Sequence, residues 1–180
     1  MKLKLLTYLL FSSSLLLTSS SANSSDSDRS KKMETVNQTE SIYVVGIELK
    51  TSNDKAFGEI PLQWKKFYQE SVLDQIPNKV SRDVYAVYTN FKNEGKNNEG
   101  VYSFILGAQV KNLDQVPPKF VSTVIPKSKR RVFKVATGHP EKVGEKWQEI
   151  WGVADIKKTF VSDYERYKES GEIDIFVGIK

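Results

Sequence analysis

The residue types able to do chemistry in this sequence are few. It has no Cys, which excludes a thiol nucleophile, a disulfide framework, a thiolate metal site and a lipid-modified N-terminal cysteine. Its single histidine is His139. Zinc sites usually need two or more histidines beside their carboxylates, and a Ser-His-Asp triad would have to be built on that one residue. His139 precedes Pro140 at the start of a helical pattern, where a cap or turn role is the ordinary one, and it is assigned no catalytic part. Carboxylate and aromatic chemistry remain. At strand period Glu165 shares a face with Val161 and Tyr167. A carboxylate facing an apolar, aromatic cavity is costly to ionise until a cation arrives, which would select positively charged lipophiles. From the residues alone the ordinary reading of this glutamate is a solvated position on an edge strand, with no such role. Flat aromatic walls suit cation-π contact and stacking, and Trp147 has a core-facing place on its helix that could supply one. Core packing is the ordinary reading of Trp64 and of at least one of Trp147 and Trp151.

These side chains must be carried by strands and helices, and the pattern of elements is legible. Residues 42–49 read as a strand, apolar enough on both faces for a covered sheet. Ile60, Trp64, Phe67 and Ser71 recur at helical spacing, and Pro61 suits a first helical turn. Residues 84–91 and 101–110 form a hairpin with a long Asn- and Gly-rich loop. The order then repeats: a strand over 132–136, a helix opened by residues 137–140 and carrying Val143, Trp147, Ile150, Trp151 and Ala154, a run over 160–167, and strict alternation at Ile173, Ile175, Val177 and Ile179. Trp64 and Trp147 hold matching helix positions 83 residues apart. The expected fold is α+β: duplicated strand-helix-strand-strand units with pseudo-twofold symmetry and a ligand cavity between them. Alternate hairpin positions face either the helices or the pocket. Among Tyr85, Tyr88, Tyr102 and Phe104 the sequence leaves the face open, and Tyr88 and Tyr102 are assigned to the lining.

Outside that core, residues 1–22 read as a secretory signal peptide. Lys2 and Lys4 precede an apolar run, and a small-residue site follows at Ser20, Ser21 and Ala22; the run is too short to span a bilayer. Residues 23–40 are polar and serine-rich, a flexible linker, and the globular domain is expected over 41–180. The protein is therefore expected to be exported, periplasmic or secreted, with no stable membrane span. The whole chain has 27 basic and 22 acidic residues, and removing Lys2 and Lys4 leaves a net charge of +3, too weak to argue for nucleic acid. The four basic residues among 127–131 flank a strand and read as a solvated edge.

Residues 43–179 resemble the GyrI-like effector-binding domain, also found as the drug-sensing module of AraC-type and MerR-type regulators. The resemblance rests on the runs 45–53, 60–64 and 84–90, on Ile125-Pro126, Phe133-Lys134-Val135 and Gly138-His139-Pro140, and on 143–147 and 163–167. It implies a central pocket that binds lipophilic, often cationic, small molecules and needs no cofactor. It places Glu165, in the figure Tyr164-Glu165-Arg166-Tyr167, at the family's pocket glutamate and Trp147 at its helix tryptophan. Residues 23–40 are too short and polar for a helix-turn-helix, and export would remove a gyrase-directed role, so small-molecule binding is what the resemblance leaves. Some members of this family are associated with hydrolysis of strained, cyclopropane-bearing electrophiles. Under that alternative Glu165 would be the general base and a tyrosine hydroxyl would orient the water.

Overall fold

The structure, a computed structural model, describes residues 34–180, so the expected signal peptide and most of the expected linker lie outside the described residues. The described elements are β1 (Glu34–Gln38), β2 (Ile42–Ser52), α1 (Asn53–Gln69), the single turn α2 (Val72–Gln75), β3 (Val84–Thr89), β4 (Val101–Val110), β5 (Val121–Ile125), β6 (Ser128–Val135), α3 (Val143–Gly152), β7 (Ser162–Tyr167) and β8 (Ile173–Ile179). All eight strands join one sheet in the order β1-β6-β8-β7-β3-β4-β2-β5, and every pairing is antiparallel. The units β2-α1-β3-β4 and β6-α3-β7-β8 therefore occupy mirrored places in the strand order. A twofold axis between β3 and β7 would relate them, as the repeated grammar of the sequence requires.

Connection lengths force this sheet to curl. β1 and β2 stand six positions apart, about 29 Å if the sheet were flat. Only residues 39–41 join them, a path of at most about 15 Å. The link from β5 to β6 is shorter still, through Pro126 and Lys127. The two edges consequently meet, and Gln38 bridges them by donating to the carbonyls of Ile125 at 3.4 Å and Pro126 at 3.2 Å. Gly46 and Gly107 sit directly opposite each other on β2 and β4. A Cβ on either would lie 2.2 Å or 2.0 Å from a backbone oxygen of the facing strand, so both positions require glycine for close approach.

One face of the sheet carries the helices. Phe67 of α1 packs with Val45, Ala86, Phe104 and Leu106, while Val143 and Ile150 of α3 pack with Val135, Ile173 and Ile175. Each half has its own core, and Tyr167 touches both. The opposite, curled face buries Val44, Tyr85, Val87, Ile105, Ile125 and Tyr164.

Four details depart from the sequence reading. Glu34–Gln38, inside the segment read as linker, pair with β6, because an edge strand can be ordered by its backbone hydrogen bonds without apolar side chains. β5 is a short additional strand. Helix α1 begins at Asn53, directly after β2, so Pro61 lies in its interior rather than its first turn. Lacking an N–H, Pro61 leaves the carbonyl of Phe57 without its helical donor.

The fourth concerns the basic run. It is not a solvated edge: residues 128–131 belong to β6, between β1 and β8, and Arg130 is 1% exposed. Its guanidinium donates to the carbonyl of Ser162 at 2.8 Å, to Pro126 at 3.1 Å and to Gln38 Oε1 at 2.7 Å, and lies 5.1 Å from the Tyr164 ring centroid. Alternation at period two sends one arginine of the run inward, where carbonyl oxygens replace its water. Arg130→Leu orphans these acceptors and is expected to lower unfolding free energy by about 2–4 kcal/mol. A denaturant midpoint unchanged from wild type would contradict that role.

Candidate ligand-binding cavity

Between α1 and α3, over the central strands β3 and β7, the helix-bearing face opens into a cavity of about 500 Å³. The register explains its floor. Ala86 pairs with Glu165, Tyr88 with Asp163 and Val84 with Tyr167, so these six side chains share the helix-bearing face. Tyr85, Val87, Tyr164 and Arg166 occupy the other face. Ala86 is small, and α1 and α3 stand on either side, so space remains above the central strand pair. The walls come from Ala56, Ile60, Pro61 and Trp64 of α1, Tyr102 of β4, and Val143, Trp147 and Trp151 of α3.

All four residues chosen from the sequence, Glu165, Trp147, Tyr88 and Tyr102, lie on this lining. Three of them meet at one point. Tyr88 Oη donates to Glu165 Oε1 at 2.7 Å and Trp147 Nε1 donates to the same oxygen at 2.5 Å. Tyr167 Oη donates to Oε2 at 2.6 Å. β3, α3 and β7 thus converge on one carboxyl group. Tyr102 stands further back, packed against Tyr88 with ring centroids 5.9 Å apart.

Glu165 is 1% exposed, and none of its three donors is cationic. Burial raises its pKa above the ordinary carboxylate value, and the hydrogen bonds from Tyr167, Trp147 and Tyr88 offset only part of that rise. Burial, reinforced by the charge of Glu165, in turn pushes the Tyr88 and Tyr167 hydroxyls well above the usual phenol range and Tyr102 up to about 12. All three tyrosines are therefore neutral donors at physiological pH. A hydrogen bond donated to a carboxylate shifts electron density into the ring that donates it. The exposed ring faces of Tyr88, Tyr167 and Trp147 become better cation-π surfaces as a result.

Several lining residues were not chosen from the sequence, Trp64, Asp163 and Lys158 among them. Trp64, assigned to core packing, also forms part of the wall, with its ring 4.8 Å from that of Tyr167 in an edge arrangement. Its place opposite Trp147 in the repeat was the available signal. Asp163, two residues before Glu165, shares its face. Asp163 Oδ1 accepts the N–H of Gly178 at 2.8 Å, and burial lifts its pKa to about 6. Lys158 also reaches the lining, where its ammonium donates to the Ile150 carbonyl at 2.9 Å at the end of α3. His139 lies outside the cavity and meets Glu141 at 2.8 Å on the surface. Among the described residues no group of His, Asp and Glu is placed to hold a metal ion, and no helix is long and apolar enough to cross a membrane.

Over residues 35–179 the sequence matches the model of a protein family, Cass2, described as an integron-associated effector binding protein. The chain belongs to the Cass2 family. An integron cassette protein from the mobile metagenome of Vibrio cholerae is 22% identical, with a TM-score of 0.65 over 82% of this chain and 95% of that one. The structure of SAV2435 bound to tetraphenylphosphonium gives a TM-score of 0.68 at 18% identity, over 83% of this chain and 94% of the other. No curated protein matches the chain in sequence. Cass2 membership and these shared folds bear out the resemblance to GyrI-like effector-binding domains and the α+β fold it implies. Small-molecule binding follows at the level of the Cass2 family.

Proposed function

We propose that this Cass2 protein binds lipophilic cations in the cavity between α1 and α3, with Glu165 as the counter-charge, and releases them unchanged. The observation that carries the reading is a buried carboxyl on an aromatic cavity wall whose three hydrogen-bond donors are all neutral. Such a group gains most from a ligand that brings the missing positive charge. The shared fold with SAV2435, a protein whose structure holds tetraphenylphosphonium, supports the same ligand class. The geometry favours binding over the hydrolase alternative. Oε1 already accepts two hydrogen bonds and Oε2 one, so three of the roughly four acceptor sites of the carboxylate are taken before a water could be held there.

A native mass spectrum of the protein with methyltriphenylphosphonium and its neutral counterpart triphenylphosphine oxide tests this. The expected result is a one-to-one complex with the cation at lower concentration than with the neutral compound. Ligand recovered after long incubation, including any cyclopropane-bearing electrophile, should keep its mass; gain of one water would favour the hydrolase. Equal retention of the cationic and neutral compounds would count against Glu165 as the counter-charge.

Residues 1–22 alone support the further reading that this binding takes place outside the cytoplasm. Protein recovered from an exporting host should then begin near Asn23 by intact mass. Full-length protein confined to the cytoplasm would remove that part of the reading.

A further inference from the structure

Large apolar side chains left in water usually answer to something that covers them. Among the described residues the most exposed large hydrophobic is Phe57, at 89%, and Trp151 is 54% exposed. Several others, such as Leu62, Tyr68 and Val80, are similarly open, but of the exposed large hydrophobics only Phe57 and Trp151 also line the cavity. They come from the two helices that flank it, α1 and α3. Neither belongs to a core cluster, although Trp151 continues the aromatic wall from Trp147, their ring centroids being 6.3 Å apart.

The helix under Phe57 is interrupted in its backbone hydrogen bonding, although Thr51 donates to Glu59 at 2.7 Å and Asn53 to the Asn98 carbonyl at 3.0 Å near its start. Pro61 cannot donate to the Phe57 carbonyl, and the start of α1 has no side-chain cap from Ser52. The turns that carry Phe57 can therefore shift with less loss of helical hydrogen bonding than an unbroken helix would suffer.

We propose that Phe57 and Trp151 form an aromatic mouth that closes over the part of a ligand projecting from the cavity, so that the protein selects cations bearing several aromatic rings over compact ones. This rests on the binding reading above and adds the ligand's size and ring content. The cation lies deep, against Tyr88, Trp147 and Glu165, and the outer rings are covered by the two mouth residues. A compact cation reaches the floor and leaves the mouth uncovered.

The test uses calorimetric titration of tetraphenylphosphonium and tetraethylammonium against the wild type, Phe57→Ala, Trp151→Ala, Glu165→Gln and the control Leu62→Ala, which lies on α1 away from the cavity. Each mouth variant is expected to weaken tetraphenylphosphonium by about tenfold and to change tetraethylammonium by less than about twofold. Leu62→Ala should leave both unchanged. Because Phe57 and Trp151 are exposed, their variants should melt as the wild type does, and a melting curve confirms that the comparison is between folded proteins. Equal losses for the two cations, or no loss for either, would overturn the mouth. If Glu165→Gln weakens both cations while the mouth variants bind normally, the binding reading stands and the mouth alone fails. A wild type that binds neither cation overturns both.

Discussion

Glu165→Gln is expected to weaken binding of methyltriphenylphosphonium roughly 10- to 150-fold, the equivalent of about 1.5–3 kcal/mol for a lost charge-assisted interaction, and to leave triphenylphosphine oxide nearly unaffected. The substitution preserves volume. Its amide oxygen can still accept from Tyr88 and Trp147, and its amide nitrogen can donate to the Tyr167 hydroxyl, so the floor of the cavity keeps its hydrogen bonds. What disappears is the charge. Calorimetric titration of the two compounds against both proteins separates charge from shape, since a purely structural glutamate would cost both ligands equally.

If the proposed cation binding holds, the same carboxyl should give it a pH dependence. Burial raises the Glu165 pKa in the empty protein, and a bound cation lowers it again by favouring the ionised form. Affinity should therefore be flat above the raised pKa of the empty protein, fall as pH drops through it, and level off below the pKa of the complex. The neutral ligand should show no such step.

Asp163→Asn is expected to stabilise the protein at pH 7.5 by up to about 3 kcal/mol, with the gain vanishing near pH 3.5. Asp163 is 7% exposed, and among the described residues its carboxyl makes no ion pair: Lys158 and Arg130 attract it only from beyond contact. Its pKa rises from 3.8 to about 6 because burial penalises the charge more than the Gly178 N–H and these distant cations favour it. The folded protein thus holds that proton more tightly than the unfolded chain does. The contribution of Asp163 to stability is most favourable below pH 3.8 and declines as pH rises towards 6, above which the buried charge exacts its full penalty. The amide oxygen of the variant can still accept from Gly178, so the ladder between β7 and β8 survives. Denaturant unfolding at the two pH values decides it. A variant no more stable than the wild type at pH 7.5 would mean that Lys158 compensates Asp163 fully.

Most of the frame was legible because it is written in periodicity. Alternation at Ile173, Ile175, Val177 and Ile179 gave β8 to the residue, and the Trp64 and Trp147 figures gave the duplication that the strand order displays. The four lining residues were reachable for a different reason: Glu165 and Trp147 came through the family resemblance, whereas Tyr88 and Tyr102 needed the correct face of the hairpin. Periodicity alone could not choose that face, since Tyr85 and Tyr88 are both aromatic, and only the pairing of Tyr88 with Asp163 and Tyr85 with Arg166 sends them apart.

The misses share a physical cause. β1 and Arg130 are held by backbone and side-chain hydrogen bonds between the paired strands β1 and β6, and Gln38 and Arg130, which meet there, are 92 residues apart in sequence and leave no local signature. The interior Pro61 misled because helix α1 starts straight from β2, with no loop to announce it. Asp163 was overlooked as a polar residue on a strand, yet its burial is a consequence of where β7 lies between β3 and β8.

The central claim is that an ionised Glu165 is what a cation meets in this cavity. A pH titration of carboxyl-13C glutamate resonances, with Glu165 assigned through its Gln variant, measures this in the empty protein and with saturating methyltriphenylphosphonium. Glu165 should titrate above the surface glutamates when the cavity is empty and shift downward on cation binding, with no shift for triphenylphosphine oxide. Saturation by the cation with the Glu165 midpoint unmoved would contradict the account.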